Sequence, residues 1–343
     1  MQNELQPADE GRGFFRPRNF FLFFLLFTLV VLTAVPSLLY RALPLDTVEA
    51  VVWGQEFSLG NCKHPPLSGW LAYGFSSLFG FRDVAMYLLS QILVVIGYVC
   101  VYRLGREFFS PAKSVVATCL LSFLLFYCFD SAKYNVNIVS LALWPATALF
   151  YWRACSSGRV RDWLLLGLAA GLCVICKLVG LMLLFLLFLH MLSVARFRRR
   201  LATPGPYLAA LVGLLVVSPY LWWLVDYDFL PFRYLSIRVA EEDERFYQAL
   251  LDAISGASPL AAEAVDRVLN VICLFVEFLF WIPLIALIWL LASGTVFQAR
   301  KSRTEGFALP APESSARDAA IFSAFLTFGP VAIFLLLAAF GSK

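Results

Sequence analysis

Apolar residues in this chain come in long runs, each closed by charge or by Pro and Gly, and those runs set the predicted architecture. They lie near 20–40, 84–102, 112–128, 137–152, 162–176, 178–195, 206–225, 269–293 and 319–340. Runs of roughly 15–25 apolar residues read as bilayer-spanning helices. The fifth and sixth are one apolar stretch interrupted by Lys177. No ten-residue alternating pattern suggests a barrel, so helices are the way for these segments to satisfy their backbone in lipid. The prediction is an all-α polytopic membrane protein, a single domain over 1–343 with about nine transmembrane helices.

Two longer stretches fall between the runs, roughly 41–82 and 226–268. In the first, Asp46, Glu49, Trp53 and Glu56 recur at helical spacing and share a face. Val51, Val52 and Phe57 lie off that face and can sink into lipid. Gly60-Asn61 is the expected end of this helix. Lys63-His64-Pro65-Pro66 then predicts an extended turn, because each Pro fixes its own φ and keeps its predecessor out of the helical region. A second amphipathic piece, 67–79, carries Trp70 and Tyr73, side chains suited to the headgroup level.

Composition removes the soluble classes. The chain is 61% hydrophobic and 15% charged, against about 45–50% and 25% in soluble domains. Charge then orients it. With the N-terminus in the cytoplasm and the runs alternating, the inner side collects 17 Lys and Arg against 8 Asp and Glu, and the outer side 10 against 15. The split is +9 inside and −5 outside, and the Lys/Arg bias favours the cytoplasmic side. Both long stretches fall on the acidic outer face. The first run lacks a small-x-small cleavage site and reads as a retained signal anchor. Cys173 and Cys176 form a C-x-x-C inside an apolar helix with no second pair, which reads as packing.

The candidate chemistry sits in the first outer loop, where each residue also has an ordinary reading. Asp46 followed by Glu49 spells a capping box, and Lys63 with His64 suits anionic-lipid contact. The constellation shifts the balance: an acidic helix start, W-G-Q, then G-N-x-K-H-P-P-L and Trp70, all at the outer end of the first span.

That arrangement resembles the first outer loop of lipid-linked-sugar glycosyltransferases with the GT-C fold. It most resembles the branch containing dolichyl-phosphate-mannose:protein mannosyltransferases and the bacterial lipid A aminoarabinose and galacturonic acid transferases. Asp46 matches the family's leading acid, while Thr47 stands where a second acid is common. His64 stands where many relatives have Lys, with Lys63 just before it. Ser131-Ala132-Lys133-Tyr134-Asn135-Val136-Asn137 is similar to the family's second outer loop, with Asn137 near the place of its Asp and Asp130 seven residues earlier. Gly167-Leu168-Ala169-Ala170-Gly171 leading to Lys177 resembles a G-x-x-x-G…K stretch, and small-residue helix packing accounts for it equally well. Relatives usually continue well beyond this length, so a C-terminal region typical of the family is expected to be absent.

The resemblance implies a GT-C-like bundle moving a sugar from a polyprenyl-phosphate donor to a lipid, lipopolysaccharide or protein acceptor, with inversion. Asp46 is the candidate base, with Glu49 as helper. Lys63, His64, Lys133, Arg233 and Arg238 are candidate binders of the substrate phosphate. The consecutive acids Glu241-Glu242-Asp243-Glu244 read as a solvated face. No dinucleotide or Walker motif appears. No cofactor and no nucleic-acid partner are expected, membrane lipids are, and a divalent metal stays open. The implied location is the bacterial inner membrane with the site on the periplasmic side. A lipid or sugar transporter or flippase, or a catalytically inactive membrane subunit, remains the alternative.

Overall fold

The computed structural model describes residues 17–234, 237, 318, 320–326 and 329. The described chain is helical: α1 (Pro17–Leu39), α2 (Leu45–Gln55), α3 (Leu67–Leu78), α4 (Asp83–Gly105), α5 (Pro111–Cys119), α6 (Val136–Ser157), α7 (Val160–Cys176), α8 (Gly180–Ser193), α9 (Ala195–Arg198) and α10 (Pro204–Asp226). Among the described residues, α1, α4, α6 and α10 are long and apolar enough to cross a membrane. α8 and the segment 195–202 meet at a 100° bend and would together make a fifth. The protein is an all-α polytopic membrane protein. The predicted run 269–293, and most of the run 319–340 and of the stretch 226–268, lie outside the described residues.

One predicted run takes a different form. The apolar stretch 112–128 is helical only to Cys119 and continues as short 3₁₀ turns over Leu120–Phe123 and Leu125–Tyr127. Ser122 returns its hydroxyl to the Cys119 carbonyl, a local bond that competes with the helical ladder. Tyr98 donates to the Tyr127 carbonyl and so fixes the turned chain against α4.

The chain packs as two units. The first comprises residues up to 180 together with 203–221, and the second comprises 181–202 together with 222 onward. In the first, α4 packs on α6, α6 on α7, α1 on α4, and α2 on α3. Its core joins Met86, Leu89, Val94 and Tyr98 of α4 to Ile138, Val139 and Ala142 of α6, with Ala50 and Ala72 from the two short helices. Close approach is built in: a Cβ on Gly97 would meet the Leu141 carbonyl at 2.5 Å. Leu22, Phe23, Leu26, Phe27 and Val30 of α1 are exposed, as suits a lipid-facing helix.

In the second unit, His190 is buried against the rings of Phe197, Phe322 and Phe325. Arg196 reaches Asp318 at 3.5 Å. Arg233 lies exposed in this unit, and Arg238 is outside the described residues.

Candidate functional site

The loop between α1 and α4 folds into a compact pair of helices because glycine lets them touch. A Cβ on Gly54 would overlap the Gly69 carbonyl, and Gly69 in turn lies against the Gly54 and Ala50 backbone. The glycine of W-G-Q is therefore a packing residue that sets how closely α2 lies on α3. α2 ends at Gln55, five residues before Gly60, and Phe57 takes a positive φ of 48° as the chain turns out. The following loop is fastened at two points. The indole of Trp70 donates to the Ser58 carbonyl at 3.0 Å, and the Asn61 N–H donates to the His64 carbonyl at 3.1 Å. Pro65 and Pro66 are buried, and Pro66 is the N-cap of α3.

The capping-box reading of Asp46 and Glu49 is not what the chain adopts. Pro44 occupies the N-cap of α2 with no side-chain capping bond, so Asp46 falls inside the first helical turn, exposed. Glu49, one turn on, does not reach back to the helix start. Its two carboxylate oxygens accept from Lys63 Nζ at 3.0 and 2.8 Å. That ammonium also lies 5.5 Å from the Trp53 ring centroid, a distance at which a cation is attracted to the ring face. The Trp53 ring meets His64 edge-on, with centroids 6.2 Å apart. Glu49 and Trp53, on one helical face, thus form a contiguous group with Lys63 and His64 of the K-H-P-P turn.

A second loop locks onto the first. Thr47, where the resembling family commonly has an acid, is buried and donates its hydroxyl to the Tyr134 carbonyl at 2.9 Å. Tyr134 is fully buried, and its phenol donates to the Ser68 carbonyl at 2.7 Å. Residues 45–78 and 130–137 are therefore held as one piece by buried hydrogen bonds from both helices of the first loop. Asn135 caps α6, its Oδ1 accepting from the Asn137 N–H at 2.8 Å. Lys133 points to an exposed ion pair with Asp130 at 2.8 Å, and this partner raises its pKa.

The side chain that sequence reasoning undervalued is Lys177. It follows the last residue of α7, and its Nζ donates to Asn137 Oδ1 at 2.8 Å. Its charge is felt at His64: burial pushes that imidazole down to about 4, and the ammonium groups of Lys177 and Lys63 push the same way against Asp46 and Glu49. His64 is thus a neutral ring at pH 7, and it offers a hydrogen bond rather than a charge. The glycines before Lys177 follow the packing account, since a Cβ on Gly167 would overlap the Ala209 carbonyl and one on Gly171 would meet Val216 at 2.7 Å. The signal for Lys177 was in the sequence: a single charge breaking a long apolar stretch. Among the described residues no three His, Cys, Asp or Glu side chains converge as metal ligands.

Asp46, Glu49 and Lys63 of the first loop and Lys177 at the end of α7, far apart in sequence, are thus grouped electrostatically around the His64 imidazole. Residues 63–223 match the model of the dolichyl-phosphate-mannose-protein mannosyltransferase family. Over 226 residues the chain is 26% identical to the lipopolysaccharide core galacturonosyltransferase RgtB of Rhizobium johnstonii, covering 64% of this chain and 45% of that protein. It is 25% identical to RgtA of the same organism over 186 residues, 54% of this chain and 37% of that protein. Over part of its length the chain is therefore similar to membrane glycosyltransferases of this kind. The family match begins at Lys63, so the K-H-P-P turn, Asn137 and Lys177 lie inside it and Asp46 and Glu49 precede it. The chain spans less than half the length of these two relatives. No solved structure matches it.

Proposed function

We propose that the protein is an integral membrane glycosyltransferase of the bacterial inner membrane that uses a polyprenyl-phosphate sugar at the periplasmic face. Its acceptor on this reading is lipopolysaccharide, whose core the two Rhizobium relatives are named for modifying. The observation that carries the proposal is the meeting of a carboxylate pair with Lys63, Lys177 and a neutral His64 in an otherwise apolar protein.

Each residue then has a separable task. Asp46 lies exposed near the group and, among the described residues, makes no ion pair. It takes the proton from an acceptor hydroxyl as that oxygen attacks C1 of the sugar. The bond between C1 and the phosphate oxygen breaks as the new glycosidic bond forms, inverting the anomeric carbon, and the prenyl phosphate leaves with the bonding pair. Lys177 and Lys63 stabilise the charge gathering on that phosphate, and the His64 ring supplies a hydrogen bond. Glu49, bound to Lys63 through both oxygens, holds the lysine in place rather than serving as a second base. Lys133, paired with Asp130, and Arg233 and Arg238 are secondary candidates for the phosphate.

The test is incubation of membranes carrying the protein with radiolabelled polyprenyl-phosphate sugars and a lipopolysaccharide acceptor pool, resolved by thin-layer chromatography. Label moving into the acceptor fraction, and lost in Lys177→Met, is the expected result. Label that stays on the prenyl phosphate with every sugar, while the sugar-lipid crosses the bilayer, would replace the transferase with a flippase.

A further inference from the structure

Three lysines stand in and around the two locked loops, and they are held in different ways. Lys63 is bound by the Glu49 carboxylate and Lys133 by the Asp130 carboxylate, each at 2.8 Å. Lys177 is bound at the same distance by an amide, the side-chain carbonyl of Asn137. A carboxylate would neutralise the ammonium it orients, and an incoming anion would first have to displace it. An amide oxygen orients the ammonium as a dipole and leaves the unit charge in place. One of the three N–H donors of Lys177 is used by Asn137, so two stay available for an anion.

The backbone supports this arrangement. Asn137 can offer its oxygen because the first N–H groups of α6 are already satisfied by the neighbouring Asn135 cap. Lys177 leaves helical geometry, with φ −153° and ψ 129°, while its own N–H still bonds the Cys173 carbonyl. The lysine is half-buried, so its field is less screened than at a free surface. Asn137 lies in the first turn of a helix, whose positive end favours an anion nearby.

We propose that Asn137 is a positioning residue that aims the Lys177 ammonium without neutralising it, so that the lysine meets the phosphodiester of a prenyl-phosphate sugar, and the prenyl monophosphate that leaves from it, with its full charge. This inference rests on the lipid-phosphate reading given above. It assigns the anion affinity of the site to the amide character of position 137 in particular.

The experiment uses the full chain in lipid nanodiscs, with geranyl monophosphate and geraniol as probes. The wild type binds the phosphate more tightly than the alcohol. Asn137→Asp neutralises the lysine and raises the phosphate dissociation constant about tenfold or more, while geraniol binding and the thermal midpoint hold. Asn137→Ala leaves the lysine charged but unaimed and gives a smaller rise. In a Lys177→Met background, Asn137→Ala changes nothing further, because its effect passes through the lysine. This double variant serves if Asn137→Asp fails to fold. Unchanged phosphate affinity in Asn137→Asp, or equal weakening of phosphate and alcohol, would overturn the inference and leave the donor reading standing. A wild type that does not distinguish phosphate from alcohol would overturn both.

Discussion

Asp46→Asn sets two magnitudes taken from the structure against each other. The side chain is exposed in the first turn of α2, and the N-cap position belongs to Pro44, with no side-chain bond to the helix start. The substitution therefore removes only a favourable charge at the helix N-terminus, about 0.3–1 kcal/mol. In a thermal melt that is a shift of no more than about 2–4 °C. As a base, the carboxylate contributes far more to the barrier. Loss of general-base action costs about 10²–10⁴-fold in rate, or about 2.7–5.5 kcal/mol at 1.36 kcal/mol per tenfold. The amide is nearly the same size and cannot take the proton. The assay pairs transfer of label from a polyprenyl-phosphate sugar with a melt of the purified protein in detergent. The expected outcome is a normal melt with transfer reduced at least a hundredfold. A stable Asp46→Asn protein with transfer within a few-fold of wild type would refute the base assignment and leave Asp46 as a dipole partner of α2.

Gly54→Ala should cost about 1–3 kcal/mol of stability, because its Cβ overlaps the Gly69 carbonyl and pushes α2 off α3; a melt and the transfer assay should fall together, and an unchanged melt would refute the close-packing account. Burial and two neighbouring ammonium groups hold the His64 ring down at about 4, below the ordinary 6.5. The unfolded chain then binds a proton that the folded one refuses between those values, so this contribution is complete above about pH 6.5 and is lost as pH falls toward 4. The wild-type melting temperature should drop across that window and the drop should flatten in His64→Gln; parallel curves would refute it. An impermeant thiol reagent on intact cells should label Cys62, a free and partly exposed cysteine of the outer loop, and should not label Ser302→Cys. Labelling of the second alone would invert the orientation drawn from the +9 and −5 charge split.

The membrane class and several of the helical spans were legible because each rests on local sequence. A run of apolar residues as long as a bilayer is thick needs no distant partner to be a helix in lipid. Helical spacing alone put Glu49 and Trp53 on one face, and Lys63 and His64 on the rigid turn beside them. The same local reasoning misplaced the cap. Asp46 and Glu49 have the capping-box spacing, but Pro44 with φ −57° takes the N-cap two residues earlier, and Lys63 competes successfully for the Glu49 carboxylate.

What only the tertiary structure decided is which charges meet. Thr47 reaches the Tyr134 carbonyl across 87 residues, and Lys177 reaches Asn137 across 40. Neither pairing has a period or a motif, because both depend on how α6 and α7 pack beside the first loop. The fate of each lysine follows from the partner that packing delivers: a carboxylate for Lys63 and an amide for Lys177. Sequence fixes how many charges a membrane protein carries and which of them stand between its apolar runs, since that is read along the chain. Whether a given charge is neutralised or left available depends on distances of a few ångströms, and helix packing sets those.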